Sequence, residues 1–247
     1  VLSGVAYNTV IGNFIGTDAA GTAALANRYN GVLIWNADFN RIGGTRSGER
    51  NISSSNGCGI SIGGSSQNNL VLGNYIGTDV NGIRPLLNGW WIGVSINEGT
   101  RHNFVGGTTE GERNVISGWD VGVEIADAGI EYNWIAGNFI GTDATGTVAI
   151  GNTYGLRVEN ASNNYIGPGN LFANNANYGV RIRGSITIGN TISRNSITNN
   201  NHEGIINQNG GNLELSPPVI ASITATSVFG TAPPNCTVEI FSDPQDE

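Results

Sequence analysis

Three aspartates sit in nearly the same setting: GNFIGTD at 12–18, GNYIGTD at 73–79 and GNFIGTD at 137–143, ending in Asp18, Asp79 and Asp143. A carboxylate beside glycine and threonine can bind calcium together with nearby carbonyl oxygens, act as an acid or base, or accept N–H bonds from its own turn. Repetition argues against catalysis, because an active site needs one such group rather than a row of them, and it favours the turn. Calcium held by Asp18, Asp79 and Asp143 is the alternative, and the only candidate cofactor. GGTRSGER (43–50) and GGTTEGER (106–113) also repeat, and Glu49 with Arg50 and Glu112 with Arg113 read as turn locks. His102 and His202 stand in no constellation with a nucleophile.

The elements that carry these segments follow from a longer repeat. Asparagine followed two positions later by Val or Ile begins at Asn8, Asn40, Asn69, Asn103, Asn133, Asn164 and Asn190, with spacings of 26 to 34 residues. A second series runs through Asn13, Asn51, Asn74, Asn114, Asn138, Asn170 and Asn195. A third reads glycine, apolar, any, apolar: GVLI, GISI, GVSI, GVEI, GLRV and GVRI, with a degraded GIIN at 204. Each unit therefore holds three short runs of period two, too short for helices and separated by residues that tolerate bends. Three strands per unit make one coil of a solenoid. Stacked coils give three parallel sheets around an apolar interior, with the asparagines laddered at the bends.

The expected interior is Val32/Ile34, Ile60/Ile62, Val94/Ile96, Val123/Ile125, Leu156/Val158 and Val180/Ile182 from the glycine strands. Val10, Ile42, Val71, Val105, Ile135, Ile166 and Ile192 come from the second strands. Ile15, Ile76, Ile116, Ile140, Phe172 and Ile197 come from the third, with Ile52 a poorer fit. The GTD loops fall in coils one, three and five and the GER loops in coils two and four, so insertions alternate between two corners.

Composition limits the function. The 247 residues include 38 glycines, which suit turn-dense β structure, and a net charge of −8 with eleven arginines and no lysine disfavours nucleic acid as a partner. No segment is long and apolar enough to span a bilayer. Cys58 and Cys236 lie far apart in segments of different character, and a disulfide between them is not expected.

On these registers residues 1–214 resemble the right-handed parallel β-helix repeats of the pectate-lyase-like superfamily. The GNxIGTD and GGTxxGERN wording is similar to that of secreted bacterial surface proteins. The resemblance implies an all-β chain: a right-handed three-sheet parallel β-helix of about seven coils plus a short C-terminal β segment. Residues 215–247 resemble the opening of a bacterial immunoglobulin-like module. Both ends read as those of a fragment of a longer polypeptide.

The resemblance also implies an extracellular or cell-surface location and a structural or adhesion role, with polysaccharide or a surface glycan as candidate partner. Enzymatic members work on the outer face of the glycine-strand sheet. There the outward positions are Leu33, Ser61, Ser95, Glu124, Arg157 and Arg181, then Trp35, Gly63, Asn97, Ala126, Glu159 and Arg183, with the serines expected to be exposed. Glu124, Arg157, Glu159, Arg181 and Arg183 form either an ion-pair ladder or the site of a polysaccharide lyase or epimerase acting on uronates. The paired aspartates and histidine signatures of the family's enzymes are absent, so the ladder is favoured and activity is not expected. Trp35, Trp90, Trp91 and Trp119 flank the same strands and are the candidate sugar-stacking residues. A third reading is a subunit of a surface filament, self-associating through open coil ends.

Overall fold

The computed structural model describes residues 1–86, 91–214, 218–224 and 226–234. Three parallel sheets wind along one axis as a right-handed β-helix. Sheet A stacks eight strands, Leu2–Ser3, Asn30–Trp35, Cys58–Gly63, Ile92–Asn97, Val121–Ala126, Tyr154–Glu159, Val180–Arg183 and Ile205–Gln208. Sheet B has seven, from Thr9–Val10 to Thr191–Ile192, and sheet C seven, from Phe14–Ile15 to Ser196–Thr198. A separate antiparallel pair joins Val219–Ile223 to Val228–Thr231. No helix among the described residues is long and apolar enough to cross a membrane.

The register puts equivalent residues directly above one another, for example Val94 over Ile60 and Val105 over Val71. Their side chains fill the column between the sheets, and Ile34, Ile60, Ile96, Ile125, Ile135 and Phe172 are fully enclosed. Ile52 departs from the expected interior. Each sheet C strand counts from its asparagine, so Ser53, two residues after Asn51, stacks between Ile15 and Ile76. Its hydroxyl donates to Gly59 O at 2.9 Å and accepts from Asn56 Nδ2 at 3.2 Å, which makes a polar group tolerable inside. Ile52 faces outward but is still buried, packing with Tyr75 and Val115 beneath Val80 and Ala144 of the GTD loops.

Both asparagine series form buried columns. In the first, Asn69 Oδ1 accepts from Asn40 N and Nδ2 at 2.9 and 3.0 Å, while Asn69 Nδ2 donates to Asn103 Oδ1 and Ala37 O, each at 2.9 Å. All four hydrogen-bonding positions of the amide are used. The same scheme continues from Asn103 to Asn133 to Asn164, and in the second column from Asn74 to Asn114 to Asn138. A third column precedes sheet A, linking Asn27 to Asn56 and, further on, Asn152 to Asn175 to Asn200. Trp119 takes the asparagine's place in coil four. Its backbone N–H donates to Asn152 Oδ1 at 3.0 Å, and its indole N–H reaches Ile76 O at 3.1 Å, just as Asn152 Nδ2 reaches Ile116 O.

A column whose members each satisfy the next fails badly when one is removed. Asn133→Ala should cost about 3 kcal/mol, since Asn103 N and Nδ2 both lose their buried acceptor. Ile135→Asp, which buries a lone carboxylate, should cost several kcal/mol. Chemical denaturation checks both, and parent-like stability for Asn133→Ala would contradict the ladder's energetic role.

Candidate functional site

Each GTD loop closes on its own aspartate. Asp18 Oδ1 accepts the N–H groups of Thr22 and Ala23 at 2.7 and 3.0 Å. Asp79 Oδ1 accepts that of Ile83 at 3.0 Å, and Asp143 Oδ1 accepts those of Thr147 and Val148 at 3.2 and 3.1 Å together with the Thr145 hydroxyl at 2.7 Å. Loops two coils apart also join directly, Val80 N to Gly21 O at 2.9 Å and Ala144 N to Gly82 O at 2.8 Å. They cover the middle of the outer face of sheet C, where Ile52, Tyr75 and Val115 are buried. Loop glycines make the close approach possible: a Cβ on Gly82, which has a φ of +70°, would sit 2.7 Å from the Tyr75 ring.

The N–H groups of each loop are thus turned on its own carboxylate. The carboxylates face N–H groups, Asp79 Oδ2 has the Arg84 guanidinium at 3.5 Å, and among the described residues no three acidic, His or Cys side chains converge as a metal site. For Asp143 burial raises the pKa, but the bonds from Thr145, Val148 and Thr147 outweigh it and hold the carboxyl below its ordinary value. Asp18 is lowered chiefly by the Ala23 and Thr22 N–H groups.

The GER loops are not locked by their own Glu–Arg neighbours. Glu112 caps its turn by accepting the Thr109 N–H at 3.0 Å, and Glu49 lies 3.7 Å from Arg41. The arginines instead lie over sheet C rings, Arg50 at 3.9 Å from the Tyr75 centroid and Arg113 at 4.1 Å from that of Phe139. Their Nε atoms donate to Gly73 O and Gly137 O.

On the outer face of sheet A the charged residues stack as their registers require. Arg157 and Glu124 form an ion pair, with Nε to Oε1 at 3.0 Å, and Arg183 lies 3.5 Å from Glu159. Arg181, stacked on Arg157, turns away to Gln208 Oε1 at 2.9 Å and toward the Tyr154 ring. With Arg183, Asn207, Gln208 and Glu214 it walls an open cavity of about 780 Å³. Ser61 and Ser95 point outward as expected but are buried, so the central stretch of this face is not a hydrated polar strip. Cys58 lies in the same sheet as a free, buried thiol, pushed up to about 12 by burial and by the negative charge of Glu124. Cys236 lies outside the described residues.

Of the candidate tryptophans, the three among the described residues do not share a groove. Trp119 is in the core, Trp35 lies across Gly63, Trp91 is exposed, and Trp90 is outside the described residues. The aromatic surface is elsewhere, on sheet B. The residue after each asparagine of the first series points outward there, which stacks Leu70, Phe104, Trp134 and Tyr165 in register. Ring centroids are 6.0 Å apart for Phe104 and Trp134 and 4.9 Å for Trp134 and Tyr165, tilted by 32° and 37°. Beside them the Tyr7–Phe39 and His102–Tyr132 pairs stack at 5.1 and 5.3 Å, and Trp134 remains 39 % exposed. The signal was present in the sequence as the variable residue of the Asn-x-Val/Ile pattern.

Comparison with protein-family models, curated proteins and solved structures finds no match to this chain. The reading of its function therefore rests on its own geometry.

Two outcomes test the loops. Because the folded pKa values of Asp18 and Asp143 are depressed, their contribution is present above the unfolded value of 3.8 and is lost as pH falls through the folded values. The melting temperature should hold down to about pH 5 and then drop as the pH falls through 3.8 and the depressed folded values, and the drop should shrink in Asp143→Asn; a flat profile would contradict the assignment. A calcium chelator should leave the melting curve of the parent unchanged, whereas a calcium-dependent rise would assign the loops to the metal.

Proposed function

We propose that this chain is a rigid extracellular or cell-surface module, structural or adhesive in role, that binds carbohydrate. The observation that carries this reading is the column of exposed Leu70, Phe104 and Trp134 with half-buried Tyr165, held in register on a rod whose bends are fixed by buried amides. Rigid, spaced aromatic side chains offer apolar faces and edges to sugar C–H groups at little cost in ordering. The antiparallel pair at Val219–Ile223 and Val228–Thr231 is compatible with the start of an immunoglobulin-like module, as suits a multi-module surface protein.

A second reading, a polysaccharide lyase or epimerase acting on uronates, has one observation in its favour. Arg181 and Arg183 share the wall of the sheet A cavity, and Arg181 bonds to an amide rather than a carboxylate. Against it, Glu124, Arg157 and Glu159 are engaged in ion pairs, and the carboxylate that shares the cavity, Glu214, accepts the Gly210 N–H.

A glycan array and a polyuronate assay following ultraviolet absorbance of the unsaturated product separate the two. Trp134→Ala should weaken glycan capture by about tenfold with little change in melting temperature, as expected for loss of one stacked ring. Arg157→Ala should cost about 2 kcal/mol of stability, because it leaves the Glu124 carboxylate, only 12 % exposed, without its partner. Turnover on a polyuronate that vanishes in folded Arg181→Ala would replace the module with the lyase.

A further inference from the structure

The aromatic column of sheet B stops at Tyr165. The next coil places Thr191 in register with it, a side chain too small to cover a phenol ring, and a cavity of about 170 Å³ opens there. It is lined by Trp134, Tyr165, Ile166, Pro168, Thr191 and Arg194, among others. Such a space matches one six-membered ring rather than an extended chain.

Arg194 gives the cavity its chemical character. Of the ten other arginines, Arg41, Arg84, Arg101, Arg157 and Arg183 form ion pairs and Arg28, Arg50, Arg113 and Arg181 lie over rings, while Arg46, on the coil-two loop, does neither among the described residues and lines no cavity with aromatic side chains. The Arg194 side chain enters neither kind of contact among the described residues. Its backbone, by contrast, is fixed: the residue is held at a φ of +56° and its carbonyl accepts the Gly169 N–H at 2.7 Å. An exposed guanidinium on a fixed backbone beside two aromatic side chains and a hydroxyl is suited to a flat or puckered ring that carries an anionic group, since the rings take the apolar face and the guanidinium the charge. In a chain of net charge −8 an unneutralised arginine at a cavity is a local exception, and it favours an acidic ligand there.

We infer that the Trp134–Tyr165–Arg194 cavity is a binding site for a single acidic sugar ring, carrying a carboxylate or a sulfate, within a glycan. The inference rests on the carbohydrate-binding reading and specifies the ligand's charge and the residue that selects it. It involves no chemistry on the sugar. The contact is recognition by sheet B, on a face other than the one that carries Arg181.

The test is calorimetric titration of the whole chain with trigalacturonate, a sulfated galactose trisaccharide and neutral galactotriose. At least one acidic probe should bind ten times or more tighter than the neutral one, and the better of the two identifies the acidic group. Arg194→Gln should remove that difference while leaving neutral binding unchanged. Trp134→Ala should weaken all three, and Arg46→Gln, on the coil-two loop, should change none. Arg194→Asn, whose side chain tolerates positive φ, guards against a backbone effect in the first variant. Neutral and acidic probes bound equally, or acidic binding insensitive to both Arg194 variants, would overturn the acidic site. Loss of acidic binding in Arg181→Ala but not in Arg194→Gln would place the anion on sheet A and overturn it as well. Neutral binding that depends on Trp134 alone would retain the carbohydrate reading without the acidic ligand, whereas no binding of any probe would remove both.

Discussion

A primary amide buried in a narrow apolar rod is tolerable only if all four of its hydrogen-bonding positions are filled, and the rest of this structure depends on that requirement. Asparagine meets it because its own length lets one side chain reach both the backbone of the preceding coil and the amide of the next. The bond direction is the same in every coil, so each asparagine fixes the height and the turn of its successor. Aspartate in the same place would set like charges at coil spacing with no donor to offer. Serine would be too short to bridge. Trp119 is instructive because it keeps the one interaction the column needs at that height, an N–H aimed at the carbonyl of Ile76, and spends the remaining volume on core packing.

With the bends fixed, the three faces of the rod diverge. Sheet C is covered by its own loops, whose glycines approach the rings below and whose aspartates gather N–H groups that would otherwise be bare. Sheet A carries the charge, and most of it is neutralised from coil to coil, as expected when opposite charges stack a few ångströms apart on a partly solvated surface. Sheet B is left with apolar side chains exposed and, at the end of the aromatic column, an arginine whose side chain forms no ion pair or ring contact among the described residues. The division follows from where insertions enter: loops added after sheet C shield the middle of sheet C, while Leu70, Phe104 and Trp134 on sheet B stay exposed.

Much of this was legible without coordinates. Period-two alternation reports which side of a strand is buried, and asparagine or glycine at each bend reports where strands end, so the three sheets, their registers and the interior from Val32 to Ile182 could be read from the repeats alone. The same registers put Glu124 beside Arg157 and Glu159 beside Arg183. These are local regularities repeated many times, and repetition lets a weak local signal accumulate.

What the tertiary structure decided concerns the residues whose partners belong to other coils or to loops. Ser53 rather than Ile52 faces inward because the count runs from Asn51, and the hydroxyl is acceptable only because Gly59 O and Asn56 happen to be within reach. Arg50 and Arg113 lie over rings supplied by the following coil rather than beside the glutamates next to them in sequence. Ser95 is outward yet buried, Trp119 is core, and the aromatic surface lies on sheet B. Alternation in the sequence fixes the direction of a side chain. Whether that direction leads to water, to a loop or to a neighbouring coil depends on contacts between residues some 25 to 40 positions apart, and only the folded chain brings those together.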